Sequence, residues 1–178
     1  MKVGLFGGSF NPPHLGHLHI SDLAVKQLNL NQIWWIPTAH NPLKAKGIYE
    51  NYSSRFKKCC DLTRNHPKIY VKKFAEIKTE KLIKNLQTKF PTHQFFWIAG
   101  ADNFEKMHQW DNFRNLIKLV PFAIFNRANF LLKIRQTKVF QIYKKLPRQN
   151  NLPQFKIFRT KNLNISSTEI RKNAKLYS

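Results

Sequence analysis

What most limits this chain is an alternation repeated along its length: a short apolar run, then a longer stretch with helical spacing. The runs are "MKVGLFG" (1–7), "IWWIP" (33–37), "KIYVKKF" (68–74), "QFFWIAG" (94–100), "PFAIF" (121–125) and "FKIF" (155–158). Short and rich in aromatic and β-branched residues, they predict strands. Residues 16–29 carry Leu18, Ile20, Leu23, Ala24 and Leu28 at helical spacing, and a second helix is predicted from near Ser53 to about Asn65. Thr79 is placed to cap a third, in which Leu82, Ile83, Leu86 and Phe90 share one face before Pro91. A short helix is expected after Asp102, another over 111–119, and "SSTEIRKNAK" opens like a last one. The basic stretch 127–150 is amphipathic in part and has no assignment.

Strands joined through helices come out parallel, so the expected fold is α/β: a Rossmann-like parallel sheet with helices on both faces. No repeat or linker divides the 178 residues, which predicts a single domain over 1–178. A composition 42% hydrophobic and 13% aromatic argues against disorder. No apolar run is long enough to span a bilayer, and "MKVGLFGG" lacks the core of a secretory signal. The expected location is therefore cytoplasmic. Cys59 and Cys60 are adjacent, so on a helix they diverge; packing in a reducing compartment is expected rather than zinc.

The formal net charge is +22, from 31 Lys and Arg against 9 Asp and Glu. Such a field draws anions, from nucleotides to nucleic acid. Lys and Asn together are also what drift toward A/T-rich codons produces, so charge alone does not choose a function.

In sheets of this kind ligands bind beyond the carboxyl ends of the strands, where the strand order reverses. Three stretches fall at such ends: Gly7 to His17, Ala99 to Asn103, and Ile165 to Arg171. The first reads "GGSFNPPHLGH". Glycines at a strand end let backbone N–H groups approach an anion closely. The spacing matches neither a dinucleotide G-x-G-x-x-G nor a P-loop. Pro12 and Pro13 stiffen the next few residues. His14 and His17 stand three apart at the predicted start of a helix, where free N–H groups and an imidazole can face one anion.

The stretch after the last strand supplies Ser166, Ser167 and Thr168, whose hydroxyls and N–H groups suit phosphate oxygens, and Arg171, whose fork can clamp them. Ser166 and Glu169 also have the spacing of a capping box, and both roles can hold together. Trp110 can stack on a heterocycle or pack in the core. Asp102 can accept from a ribose hydroxyl or cap the next helix.

"GGSFNPPHLGH" resembles the opening signature of the nucleotidylyltransferase superfamily, with His14-Leu15-Gly16-His17 as its (H/T)-x-G-H. "ISSTEIR" (165–171) resembles that superfamily's second signature, and "IAGADNFEKMHQW" (98–110) the G-A-D-N…W segment of its nicotinate-nucleotide adenylyltransferases. "NPLK" (41–44) and Arg55 match that branch's phosphate loop and following helix more loosely. The resemblance implies that the phosphate of nicotinate mononucleotide attacks the α-phosphorus of ATP, releasing pyrophosphate, in NAD biosynthesis. It implies His14 and His17 as catalytic residues near the α-phosphate. For ATP it implies Gly7, Gly8, Ser9, Phe10, Gly100, Asp102, Ser166, Ser167, Thr168 and Arg171. For nicotinate mononucleotide it implies Ser9, Lys44, Arg55, Asp102 and Trp110. Mg2+ would come on the ATP phosphates, with no protein metal site.

Two segments depart from that pattern. "EIKTEKL" (76–82) stands where the branch has S-Y-T-x-D-T-L, and "RAN" (127–129) where it has R-P-G. The first is associated with the nicotinate end, which opens the choice of acceptor. Pantetheine-phosphate adenylyltransferase is the rival enzyme. A nucleic-acid-binding protein on the same fold is the rival of another class, suggested by the charge and by residues 131–148.

Overall fold

The computed structural model describes residues 1–38, 50–75, 78–127, 136–145, 155–160 and 167–176. Its strands are β1 (Lys2–Gly8), β2 (Gln32–Pro37), β3 (Ile69–Val71), β4 (Gln94–Gly100), β5 (Phe122–Arg127) and β6 (Phe155–Thr160). The helices are α1 (Leu15–Leu28), α2 (Tyr52–Thr63), α3 (Thr79–Lys89), α4 (Ala101–Lys106), α5 (Phe113–Leu119), α6 (Lys138–Lys144) and α7 (Ser167–Leu176). A 3-10 turn, Met107–Gln109, extends α4.

The sheet runs β3-β2-β1-β4-β5-β6 with every pair parallel. The chain winds outward from β1 through β2 to β3, then returns to place β4 on the other side of β1. Strand order therefore reverses between β1 and β4, which puts a crevice at their carboxyl ends.

Both faces are buried, and the two-residue period of each strand divides its side chains between them. Val3, Leu5, Phe95, Trp97, Phe122 and Ile124 join one core with residues of α3, α4, α5 and α6. Phe6, Phe96, Ile98, Ala123 and Phe125 join the other with residues of α1 and α2. This is the expected α/β sheet with helices on both faces.

Three local details differ from the sequence reading. β3 ends at Val71, because it is an edge strand paired to β2 alone over Ile69 to Val71. Thr79 is the first residue of α3 and does not cap it: Lys78 holds that position, with no side-chain cap bond. In the basic stretch, α6 buries Val139 and is capped by Thr137, whose Oγ1 accepts from the Phe140 N–H at 3.2 Å. Cys59 is buried and Cys60 half-buried, both as free thiols.

Candidate active site

The loop after β1 is held by its carbonyl groups. Gly8 O accepts from Thr38 twice, from N–H at 2.9 Å and Oγ1 at 3.3 Å. Ser9 O accepts from Arg55, Asn11 O from Arg171, and Pro12 O from Ser167 Oγ at 2.9 Å. The Asn11 side chain, 2% exposed, accepts the Glu50 N–H at 3.1 Å. In a trans peptide the N–H points opposite the C=O. Tying the Gly8 and Ser9 carbonyls into the protein therefore turns the Ser9 and Phe10 N–H groups the other way. A loop whose acceptors are consumed behind it presents donors in front, which is what an anion needs.

Two residues give the loop its shape. Gly7 faces Trp97 of β4, and a Cβ there would lie 2.8 Å from Cη2 and Cζ2 of that ring, so only glycine fits. Phe10 has φ 45°, a left-handed conformation that costs a non-glycine residue about 1–2 kcal/mol. Its ring offsets this by burial, stacking on Trp35 at 4.8 Å and meeting Phe6 and His17 at 5.6 and 4.8 Å.

His14 and His17 form the N-terminus of α1 as a reciprocal pair. His14 Nδ1 accepts the Gly16 N–H at 3.1 Å, and His17 Nδ1 accepts the His14 N–H at 3.1 Å. This is a capping box built from two imidazoles, their centroids 3.9 Å apart. A neutral ring that accepts at Nδ1 carries its proton on Nε2, so each histidine is set as an Nε2–H donor. No acidic residue lies in the first turn, so the positive end of the helix dipole is unopposed there. Below, Trp35 Nε1–H donates to Ser21 Oγ, which donates to the His17 carbonyl, both at 2.9 Å. Sequence reasoning missed Ser21 and Trp35, since a serine one turn after a histidine carries no distinctive signal.

Helix α7 docks on the same loop. Besides the Ser167 and Arg171 contacts, Arg171 Nη2 donates to Thr168 Oγ1 at 3.3 Å. Residues 155 and 160 positions apart in the chain thus meet across the crevice. Ser166 and Lys44 lie outside the described residues, as do positions 76–77 and 128–129 of the two departing segments.

Arg55 is placed differently from the phosphate ligand expected. It is 1% exposed, and its guanidinium donates to three carbonyls: Ser9 O, Thr38 O at 2.9 Å and, through Nε, Glu50 O at 3.0 Å. Those acceptors lie behind the loop. Thr38 and Glu50, which complete this arrangement through backbone atoms, have no signature in the sequence.

At the end of β4, Gly100 is the N-cap of α4, and a Cβ there would meet Asp102 Oδ1 at 2.7 Å. Asp102 lies exposed in the first turn of α4; the cap is Gly100, with no side-chain cap bond, so Asp102 does not take the capping role. Trp110 is half-buried, its ring edge-on to Trp97 at 6.0 Å. Trp97 therefore packs against Gly7 of β1 on one side and Trp110 on the other. Among the described residues no three His, Cys, Asp or Glu side chains are grouped to hold a metal ion. Nor is any helix among them long and apolar enough to cross a membrane.

Fold and site together define a class: a doubly wound nucleotide-binding domain whose anion loop, paired histidines and C-terminal helix converge at the switch point. Comparison with known proteins agrees. A family described as cytidylyltransferase-like matches residues 5–173. "Probable nicotinate-nucleotide adenylyltransferase" of Agrobacterium fabrum is 35% identical over 147 residues, 80% of this chain and 78% of that protein. The protein of the same name from Ruegeria sp. strain TM1040 is 33% identical, covering 97% of each chain. The chain belongs to the cytidylyltransferase-like family and, within it, to the nicotinate-nucleotide adenylyltransferases. The fold is also that of Plasmodium falciparum nicotinic acid mononucleotide adenylyltransferase complexed with NaAD, at a TM-score of 0.74 and 21% identity over 96% of this chain and 82% of that one.

Proposed function

We infer that this protein transfers the adenylyl group of ATP to nicotinate mononucleotide, giving nicotinate adenine dinucleotide and pyrophosphate, in NAD biosynthesis. The observation that carries the reading is convergence at one loop: the His14–His17 pair opens α1 just after it, while Ser167 and Arg171 of α7 grip its Pro12 and Asn11 carbonyls. The relatives' names supply the acceptor.

A phosphate oxygen of the mononucleotide attacks the α-phosphorus of Mg·ATP. The new P–O bond forms as the bond to the β-phosphate oxygen breaks, and pyrophosphate leaves. No covalent enzyme intermediate is needed, so catalysis rests on alignment and on donors aimed at developing charge. The Nε2–H groups of His14 and His17 donate to the α-phosphate as that charge grows. The Ser9 and Phe10 N–H groups and the α1 dipole hold the triphosphate. Ser167, Thr168 and Arg171 take the leaving pyrophosphate, a role that the reading extends to Ser166. Lys44 holds the mononucleotide phosphate, Trp110 stacks on its base, and Asp102 accepts from a ribose hydroxyl. Mg2+ would come with the ATP phosphates and would neutralise part of their charge there. The reading implies the cytoplasm, where free thiols such as Cys59 and Cys60 stay reduced.

The test is pyrophosphate release from Mg·ATP with nicotinate mononucleotide, nicotinamide mononucleotide or phosphopantetheine as acceptor. Strong preference for the first is the expected result. Preference for phosphopantetheine would make it the rival enzyme. No release from folded protein that binds RNA in a salt-dependent way would favour a nucleic-acid-binding protein instead.

A further inference from the structure

We propose that Arg55 is a positioning residue for the triphosphate loop, acting on His17 through the Ser9–Phe10 peptide, and not a ligand of substrate phosphate. The proposal rests on the adenylyl transfer inferred above. Its warrant is the use of the guanidinium. Nε, Nη1 and Nη2 each donate to a different carbonyl, and the three carbonyls belong to the loop after β1, the end of β2 and the approach to α2. One planar fork thus ties three segments at the carboxyl edge of the sheet. With 1% of the residue exposed, it does so from inside the protein.

The consequence for the site is geometric. Ser9 O and the Phe10 N–H belong to one rigid peptide, so holding the carbonyl aims the N–H. The same bond steadies Phe10 at its φ of 45°, a conformation unfavourable for a side chain with a Cβ. The Phe10 ring in turn lies 4.8 Å from the His17 ring. Without the clamp, relaxation of Phe10 toward negative φ would redirect its N–H and shift the surface on which His17 rests. Lysine would keep the charge, but a single ammonium cannot reproduce three donors held in one plane.

The roles separate in kinetics. For Arg55→Lys, positioning predicts that kcat falls by about tenfold or more while KM for nicotinate mononucleotide stays within about threefold. A ligand role predicts the reverse, a raised KM with kcat kept. Positioning through His17 also predicts that the Arg55→Lys loss shrinks severalfold in a His17→Ala background, whereas an independent phosphate ligand would give additive losses. A measurement on the unaltered protein covers the case of a variant that fails to fold. In protein labelled with 15N-arginine, the Arg55 Nε–H should exchange slowly and keep its chemical shift on saturation with nicotinate mononucleotide or inorganic phosphate. A shift of that signal tracking ligand occupancy would overturn the proposal. Absence of pyrophosphate release by the unaltered enzyme would instead sink the adenylyl-transfer reading, and the Nε–H signal would still report whether the clamp exists.

Discussion

His17 accepts the backbone N–H of His14, and His14 accepts that of Gly16, so one pair of imidazoles both starts a helix and sets its own tautomers. Capping and the presentation of two Nε2–H donors are the same arrangement. Substitutions can separate them.

On the proposed mechanism, His17→Ala removes a donor to the α-phosphate. Turnover should fall by about 10²–10³-fold, the usual loss for a donor to developing negative charge. Pyrophosphate release under saturating substrates, beside a thermal melt showing intact fold, checks this. Near-native turnover would remove His17 from the mechanism.

His14→Ala loses the cap and should destabilise the protein by about 0.5–2 kcal/mol. Asparagine is a good N-cap with no Nε2–H, so His14→Asn should recover the stability and not the activity. Urea melts and initial rates on the two variants make the comparison.

Gly7→Ala places a Cβ 2.8 Å from the buried Trp97 ring. Overpacking there should cost about 1–3 kcal/mol, lowering Tm by about 2–4 °C for each kcal/mol. Differential scanning calorimetry reads it, and an unchanged Tm would mean that Trp97 yields easily.

Trp110→Ala should raise KM for nicotinate mononucleotide by roughly tenfold, in keeping with about 1–3 kcal/mol for stacking a base on an aromatic ring. Trp110→Phe should keep most of the affinity. Equal losses in both would point to the edge-on packing with Trp97 as the residue's main role.

Burial pushes the Cys59 thiol from its ordinary 9.0 up to about 12, with Cys60 beside it adding to the rise and Arg55 opposing it. The thiolate is the reactive form, so at pH 8 Cys59 should resist a disulfide reagent until the protein unfolds. The folded chain keeps a proton that the unfolded chain releases above pH 9, so this group's contribution to stability falls as pH rises from there toward 12. Thiol counting before and after denaturant, with urea melts at pH 8 and 10, tests both statements.

Much of this was legible in one dimension. Six strands, the parallel sheet and helices on both faces come from the pattern of apolar residues. A strand buried on both faces reads as an unbroken apolar run, as β4 does, and the helices between show their own spacing. Helix caps were less legible. Thr79 has the right chemistry for one, yet the backbone turns one residue earlier at Lys78. Asp102 likewise could cap α4, and Gly100 occupies the position.

The residue types that face anions are a local property, since glycines at a strand end, histidines at a helix start and a serine-threonine-arginine cluster act through their own backbone and side-chain chemistry. Their order, together with the strand and helix spacing, was enough to point to a parallel α/β nucleotidylyltransferase and to an expectation of phosphate-binding chemistry at the strand ends. Tertiary structure alone decided the partners. Arg55 looks from sequence like any cation on a helix near a phosphate loop, and only the fold brings the carbonyls of Ser9, Thr38 and Glu50 to its three nitrogens. Backbone acceptors are chemically identical at every residue, so no sequence pattern marks which three will converge. That choice belongs to the packing of β1, β2 and α2, and with it the direction in which the anion loop points its N–H groups.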